Sequence, residues 1–326
     1  IERGWCSLCR KWVSAVPLPT TQVIIGPKVK VYICYLSILI RLSFEQIQTL
    51  LKTTYDFEVS DGEIANILHK EADVLKPEYE SLKERIRAQR GVHYDETSHP
   101  VQKGAQGNYA WVASGTETDE AVFLCGVSRG GGNVDVLRGE DDDAHVGITD
   151  DYVGYHKKFK KHALCWAHPH RKFRDLKNSD KLDAATAEHC RITYEAFAGL
   201  YGKVIETCKT PFVLSERLKK KEELAIIFDK VAAPHPNDLP KITRIKKRLR
   251  QQKELYFTCV INEGIPPDNN KAERALRPHV IKRKISFGSK TERGAETTSI
   301  LSSVILSLWW TKPKTFFAEL MAVREV

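Results

Sequence analysis

The sequence predicts a mixed α/β chain, on three observations. After Gly91 the segments VHYDET, NYAWVASGT and AVFLCGVS are short, rich in β-branched and aromatic residues, and separated by polar or glycine-containing turns, which reads as three consecutive strands. HVGIT and HALCWAH read as a fourth and a fifth, followed by helices at Tyr152 to Lys161 and Pro169 to Lys177, so strands give way to β-α alternation. From Asp180 to about Glu263 the apolar spacing is helical throughout, as in Ile192, Phe197, Leu200 and Val204, which predicts an all-helical insert.

At the N-terminus, IERGWCSLCRKW places Cys6 and Cys9 in a CxxC motif. Structural zinc takes four ligands, usually from two such knuckles, and no second CxxC or HxxxH follows. Either the other half precedes Ile1 or these are free thiols. The chain begins at Ile1 rather than methionine, which predicts residues upstream. Val29 to Leu42 is apolar but interrupted by Lys30, Ser37 and Arg41, too short to span a bilayer and suited to a buried helix. Ser43 to Thr53 and Ser60 to Lys70 then read as helices with capping boxes, Gln46 and Glu63 standing three residues after each serine. Helix, short turn, capped helix is the helix-turn-helix pattern that enters a major groove, and equally the pattern of a small helical bundle with no DNA role. Tyr79, Leu82 and Ile86 continue an amphipathic connector to Arg90. The Gly130 to Asp143 stretch combines a glycine-rich loop, a short helical piece at Val134 to Leu137 and an acidic cluster, without a phosphate-cradling pattern.

Within the insert, KITRIKKRLRQQK puts Lys241, Arg244, Lys247, Arg248 and Arg250 away from the apolar stripe, as a solvated face or a phosphate track. After Pro266-Pro267 a helix is expected from Asp268 to Lys284, with Asp268 and Asn269 as capping residues and Ala272, Ala275 and Leu276 buried. Glu273 sits one turn in, a lone acid among Arg274, Arg277, Lys282, Arg283 and Lys284, and either pairs with Arg277 or belongs to a site. Ala295 to Trp310 is a strongly apolar helix, and Pro313 opens a last short one.

Two further carboxylates stand at comparable places: Asp95 in the first strand and Asp150 at the end of the fourth. Mg²⁺ takes a few hard carboxylate oxygens and keeps positions for water and phosphate, and two such ions serve in-line displacement at phosphorus. Each acid has a neighbour, Glu96 and Asp151, and strand alternation lets only one of each pair face a site.

HYDET, NYAWV, ITDDYVGY, CWAHPHRKF and NNKAERALRPHVIKRKISFGS with the following GAETTSILSSVI resemble the transposases of the insertion sequence 66 family. The resemblance covers roughly residues 90 to 310. It implies an RNase H-like mixed sheet carrying a large all-helical insertion, preceded by a helical, helix-turn-helix DNA-binding domain and a zinc ribbon. Its units would be a partial ribbon at 1–18, the helical domain and connector at 19–89, and a catalytic domain at 90–326 with the insertion at about 180–263. Carried over, Asp95, Asp150 and Glu273 are the acidic triad that holds two Mg²⁺ (or Mn²⁺), with Cys6 and Cys9 as zinc ligands in the intact ribbon. Asp151 departs from the family pattern, which has glycine there. His168 matches a phosphate or leaving-group contact, or a structural histidine; Asn269, Asn270 and Arg274 match positions that orient Glu273 or touch DNA. Arg171, Lys172, Arg174, Arg244, Lys247, Arg248 and Arg277 are expected on DNA backbone.

The totals agree with such a partner. A net charge of +9 over 326 residues favours a polyanion, and 42% apolar content supplies a sizeable core. Six cysteines scattered singly, at Cys34, Cys125, Cys165, Cys190, Cys208 and Cys259, do not form a secreted disulfide framework, so a reducing cytoplasm is expected; the resemblance implies a prokaryotic one, near the nucleoid. The expected function is metal-dependent strand cleavage at transposon ends and strand transfer into target DNA. Its partners would be terminal inverted repeats, target DNA, at least one further copy of the chain and accessory proteins, with no membrane. The rival readings are a catalytically inactive transposase-derived DNA-binding protein and a stand-alone RNase H-like nuclease.

Overall fold

A computed structural model describes residues 3–14, 25–103, 107–141, 143 and 145–325. The parts of the expected ribbon and helical units that fall at 15–24, and Asp142 of the acidic cluster, lie outside these residues.

The chain opens with an antiparallel hairpin, β1 (Arg3–Cys6) and β2 (Lys11–Ser14), with Cys9 in the connecting turn. Three helices follow: α1 (Pro27–Ile38), α2 (Phe44–Tyr55) and α3 (Asp61–Arg87). Both bonds of the capping box form at α2, Ser43 Oγ accepting from the Gln46 amide and Gln46 Oε1 from the Ser43 amide. At α3 only the first half is made, Ser60 Oγ accepting from Glu63. The expected break near Lys70 is absent: α3 runs on through Pro77, because Leu75, Tyr79, Leu82 and Ile86 continue the buried stripe begun by Ile64 and Ile67.

The sheet is built from β3 (Gly91–Ser98), β5 (Tyr109–Gly115) and β6 (Ala121–Val127), then β7 (Val146–Thr149) and β8 (His162–Leu164); the short β4 (Val101–Lys103) lies outside it. Its order is β6-β5-β3-β7-β8, antiparallel among the first three and parallel from β3 through β7 to β8. Helix α4 (Gly132–Arg138) bridges the two halves. The helix expected at Tyr152 to Lys161 is not formed; a three-residue 3₁₀ turn, Val153–Tyr155, takes its place. His156 is extended and Lys157 adopts a left-handed backbone, so Tyr155 and Phe159 are buried separately rather than along one helical stripe. The fifth strand is also shorter than expected, and α5 (Ala167–Lys177) begins before Pro169.

The insert is α6 (Ala184–Lys209), α7 (Leu214–Ala232), α8 (Pro240–Gln251) and α9 (Lys253–Ile261). It shares a second core with β7 and β8, centred on Trp166. The indole meets Phe197, Tyr201, Phe228, Tyr256 and Phe257 at ring separations from 5.3 to 6.2 Å and donates to the Tyr256 carbonyl at 2.8 Å. The chain closes with α10 (Asn270–Ser286), β9 (Ser289–Thr291), which pairs with β4, then α11 (Glu292–Thr311) and α12 (Phe316–Arg324). Pro313 lies ahead of this last helix rather than within it. Helix α11 packs on the edge strand β6 and on α3, in the larger core. Gly126 permits the approach: its φ is +77°, and a Cβ there would stand 2.6 Å from that of Ala295.

Candidate active site

Strand register brings the first two acids together. β3 and β7 pair in parallel with His93 opposite Ile148. Two residues further along, Asp95 and the first residue past β7, Asp150, leave neighbouring strands that are about 4.8 Å apart. Asp95 Oδ1 accepts from the Glu96 amide and Asp150 Oδ1 from the Tyr152 amide, both at 2.9 Å. The second oxygen of each carboxylate has no donor among the described residues.

The third acid arrives through α10, whose start is pinned by Asn269. This side chain is fully buried: Oδ1 lies 2.9 Å from His93 Nδ1, and Nδ2 donates to the Tyr94 carbonyl at 2.8 Å. The Asn269 amide donates to Cys165 Sγ, and the preceding Pro267 carbonyl accepts from the Trp166 amide. Asn269 therefore faces β3, and its side chain caps no helical amide. Glu273 lies in the first turn and does not pair with Arg277. Its partner is Arg171 on α5, through contacts of 2.5 and 3.1 Å.

Burial raises the Asp95 carboxyl to about 7, with Glu96, Asp150 and Glu273 adding to the effect. Burial also raises Asp150, and Asp151 adds to it while Lys172 and Arg129 oppose. His168 is held below its usual value by burial and then by Arg171, against the pull of Glu273. Asp95, Asp150, Glu273 and His168 thus share one electrostatic neighbourhood. Among the described residues Asp95 and Asp150 each keep one carboxylate oxygen without a donor, whereas both oxygens of Glu273 are taken by Arg171.

The two neighbouring acids are committed elsewhere. Glu96, 5% exposed, accepts from Arg129 at 2.9 Å and from Tyr155 Oη at 2.6 Å. Asp151 accepts from Arg248 Nε at 2.7 Å and lies 3.3 Å from His156, while its carbonyl also takes an Arg248 bond. Arg248 therefore ties α8 of the insert to the end of β7. Beside Asp150 the insert and the sheet enclose a cleft of about 330 Å³ lined by Arg129, His168, Lys172, Arg244 and Arg248. Arg129, which no motif singled out, lies 4.3 Å from the Tyr152 ring centre. Its only sequence signal is a basic residue before the glycine-rich loop.

Of the other expected contacts, Arg174 pairs with Asp175, and Arg274, Arg277 and Lys247 are exposed. Asn270 is half-buried, its amide donating to Asp268. Cys6 ends β1 and Cys9 lies in the turn that follows, and bonds from the Cys9 amide and thiol lower the Cys6 thiol. Among the described residues no other ligand joins them, so two of the four ligands that structural zinc takes are present and a zinc site is not completed here.

A five-stranded mixed sheet in this order, with one acid within β3, one just past the neighbouring β7 and a third on a later helix, is compatible with an RNase H-like fold. Residues 22–297 match the family model described as Transposase IS66 family, and the chain belongs to that family. No curated protein matches it. No helix among the described residues is long and apolar enough to cross a membrane.

Proposed function

We propose that the chain is an RNase H-like DNA transposase that cuts element ends and joins them to target DNA, with Asp95, Asp150 and Glu273 as its acidic triad. The observation that supports this is geometric: Asp95 and Asp150 stand on adjacent parallel strands, and the helix carrying Glu273 is tied to the first of them by the bond from Asn269 to the Tyr94 carbonyl, so acids distant in sequence meet at one half-buried place. Like charges so arranged need a cation. Asp95 Oδ2, Asp150 Oδ2 and the Glu273 carboxylate would hold two Mg²⁺ (or Mn²⁺), which supply activation of the attacking oxygen and neutralisation of the leaving one.

The residues around the triad have separable tasks. Lys172, Arg244 and Arg129 face the cleft as cations for DNA backbone, and His168, kept neutral by burial, can donate to or accept from a phosphate oxygen. Asn269 and Cys165 fix α10 against β3. Residues 28 to 70, through α2, the turn and the first part of α3, together with the CxxC at Cys6 and Cys9, are assigned to the terminal inverted repeats as a helix-turn-helix unit. A synaptic complex needs at least two copies, and accessory proteins can assist.

Asp151 in the family's glycine position is the one feature that favours an inactive, DNA-binding remnant. Its carboxylate is paired with Arg248 and lies beside His156, so its action on the triad is the charge it adds beside Asp150. The test is a paired-end cleavage and joining assay with Mg²⁺ or Mn²⁺. D95N, D150N and E273Q should each abolish both steps while DNA binding persists. Full activity in E273Q sinks the mechanism; binding without cleavage by the unaltered chain under either ion supports the remnant; preference for RNA–DNA hybrid over inverted-repeat duplex supports a stand-alone nuclease.

A further inference from the structure

Arg171 occupies both oxygens of Glu273, one guanidinium nitrogen 2.5 Å from Oε1 and the other 3.1 Å from Oε2. Asp95 and Asp150, by contrast, each keep one oxygen clear. The fork is specific in geometry yet partly solvated, with side-chain exposures of 37% for Arg171 and 24% for Glu273, so it can open without breaking the core. Its inner nitrogen also lies 3.3 Å from the His168 ring, and Lys172 is the next residue on α5.

A guanidinium fork and a divalent cation compete for those two oxygens. Resting on the reading of Glu273 as an ion ligand, we propose that Arg171 is a placeholder cation. It holds Glu273 until divalent ions engage the triad, and is then released into the cleft to grip a DNA backbone phosphate. Without ions, the single positive charge offsets a carboxylate in an already crowded site. Once released, a planar fork beside Lys172 matches phosphate geometry. Thermodynamic linkage then makes ion binding and DNA binding strengthen each other by the same factor, and Arg171 carries that coupling.

R171K separates this from simple charge, because an ammonium keeps the positive charge and gives up the two-point fork. Mn²⁺ binding to the full chain would be followed by electron paramagnetic resonance. Binding of a labelled mixed-sequence duplex would be followed by anisotropy at fixed ionic strength, with and without Mn²⁺. R171K should bind Mn²⁺ about three- to five-fold tighter than the unaltered chain, and the Mn²⁺-dependent gain in DNA affinity should shrink by a similar factor. R171A should move in the same direction. Mn²⁺ affinity in R171K at or below that of the unaltered chain, or undiminished coupling, overturns the proposal. E273Q supplies the control: if it binds Mn²⁺ like the unaltered chain, Glu273 is not a ligand and the underlying reading fails instead.

Discussion

The side-chain amide of Asn269 donates to the backbone carbonyl of Tyr94, the residue immediately before Asp95. One buried hydrogen bond thus links the strand carrying the first acid to the helix carrying the third. N269D replaces this donor with an acceptor and buries a charge. It should destabilise the fold by about 2–4 kcal/mol in urea denaturation, from an unsatisfied carbonyl and a desolvated carboxylate. N269A should cost about 1–3 kcal/mol. Loss of cleavage in N269A greater than its loss of folded protein would identify a positioning role; activity in proportion to folding would leave Asn269 a structural residue only.

Asp95 gives a pH dependence whose sign follows from its raised value. The unfolded carboxyl ionises near 4, whereas the folded one holds its proton to about 7. Between those values the folded state binds more protons, so the stability that Asp95 contributes to the ion-free protein is full below about 4 and is lost as pH rises through about 7. Melting in EDTA should therefore show D95N more stable than the unaltered chain at pH 8, with the difference closing towards pH 4. Mn²⁺ affinity should run the other way, rising with pH and levelling above about 7. An unaltered chain that gains stability relative to D95N as pH rises would contradict the clustering.

What was legible in the sequence follows the range of the interaction. The capping box at α2 is local, Ser43 and Gln46 standing three residues apart, and it was read with both partners. The strands carrying Asp95 and Asp150, and the helical insert, declared themselves through apolar period. The stretch 152–161 misled because Val153, Tyr155 and Phe159 give an apolar pattern, while the left-handed Lys157 that breaks it has no strong local signature. Partners of the acids were not legible at all. Arg171 on α5 meets Glu273 on α10, Arg129 past β6 meets Glu96 on β3, and Arg248 of the insert meets Asp151, each only once segments distant in sequence have packed. For the same reason Asn269 could be read as a cap, a DNA contact or a residue that orients Glu273, and only the packed structure shows its side chain bonded to β3.

The Asp151–Arg248 pair should behave as a strut and not as part of the chemistry. A double-mutant cycle with D151N and R248Q should give a coupling of about 0.5–1 kcal/mol at low salt, declining as salt is raised, since Arg248 is half exposed. D151N should retain cleavage at the triad. Loss of divalent-ion binding in D151N would instead make Asp151 a fourth ligand.

Helix α11 protects the open edge of the sheet, in a way that its apolar composition conceals. Among the described residues strand β6 has no strand neighbour on one side, and its outward amides at Ala121, Phe123 and Cys125 donate to Ser307, Ser303 and Ser299 at 2.8–3.0 Å. The match is one of periods: four helical residues rise about 6 Å and two strand residues about 6.8 Å, so serines at i, i+4 and i+8 follow alternate amides of an antiparallel strand. Each serine proton is used as well, Ser299 donating to Ala295, Ser303 to Ser299 and Ser307 to the Ala121 carbonyl. S303A should strand the buried Phe123 amide and cost about 1–3 kcal/mol in denaturant melts. Hydrogen exchange should locate the loss, the Phe123 amide losing protection first while those of β3 keep theirs. Unchanged protection at Phe123 in S303A would mean that burial under α11, rather than the hydroxyl, seals this edge.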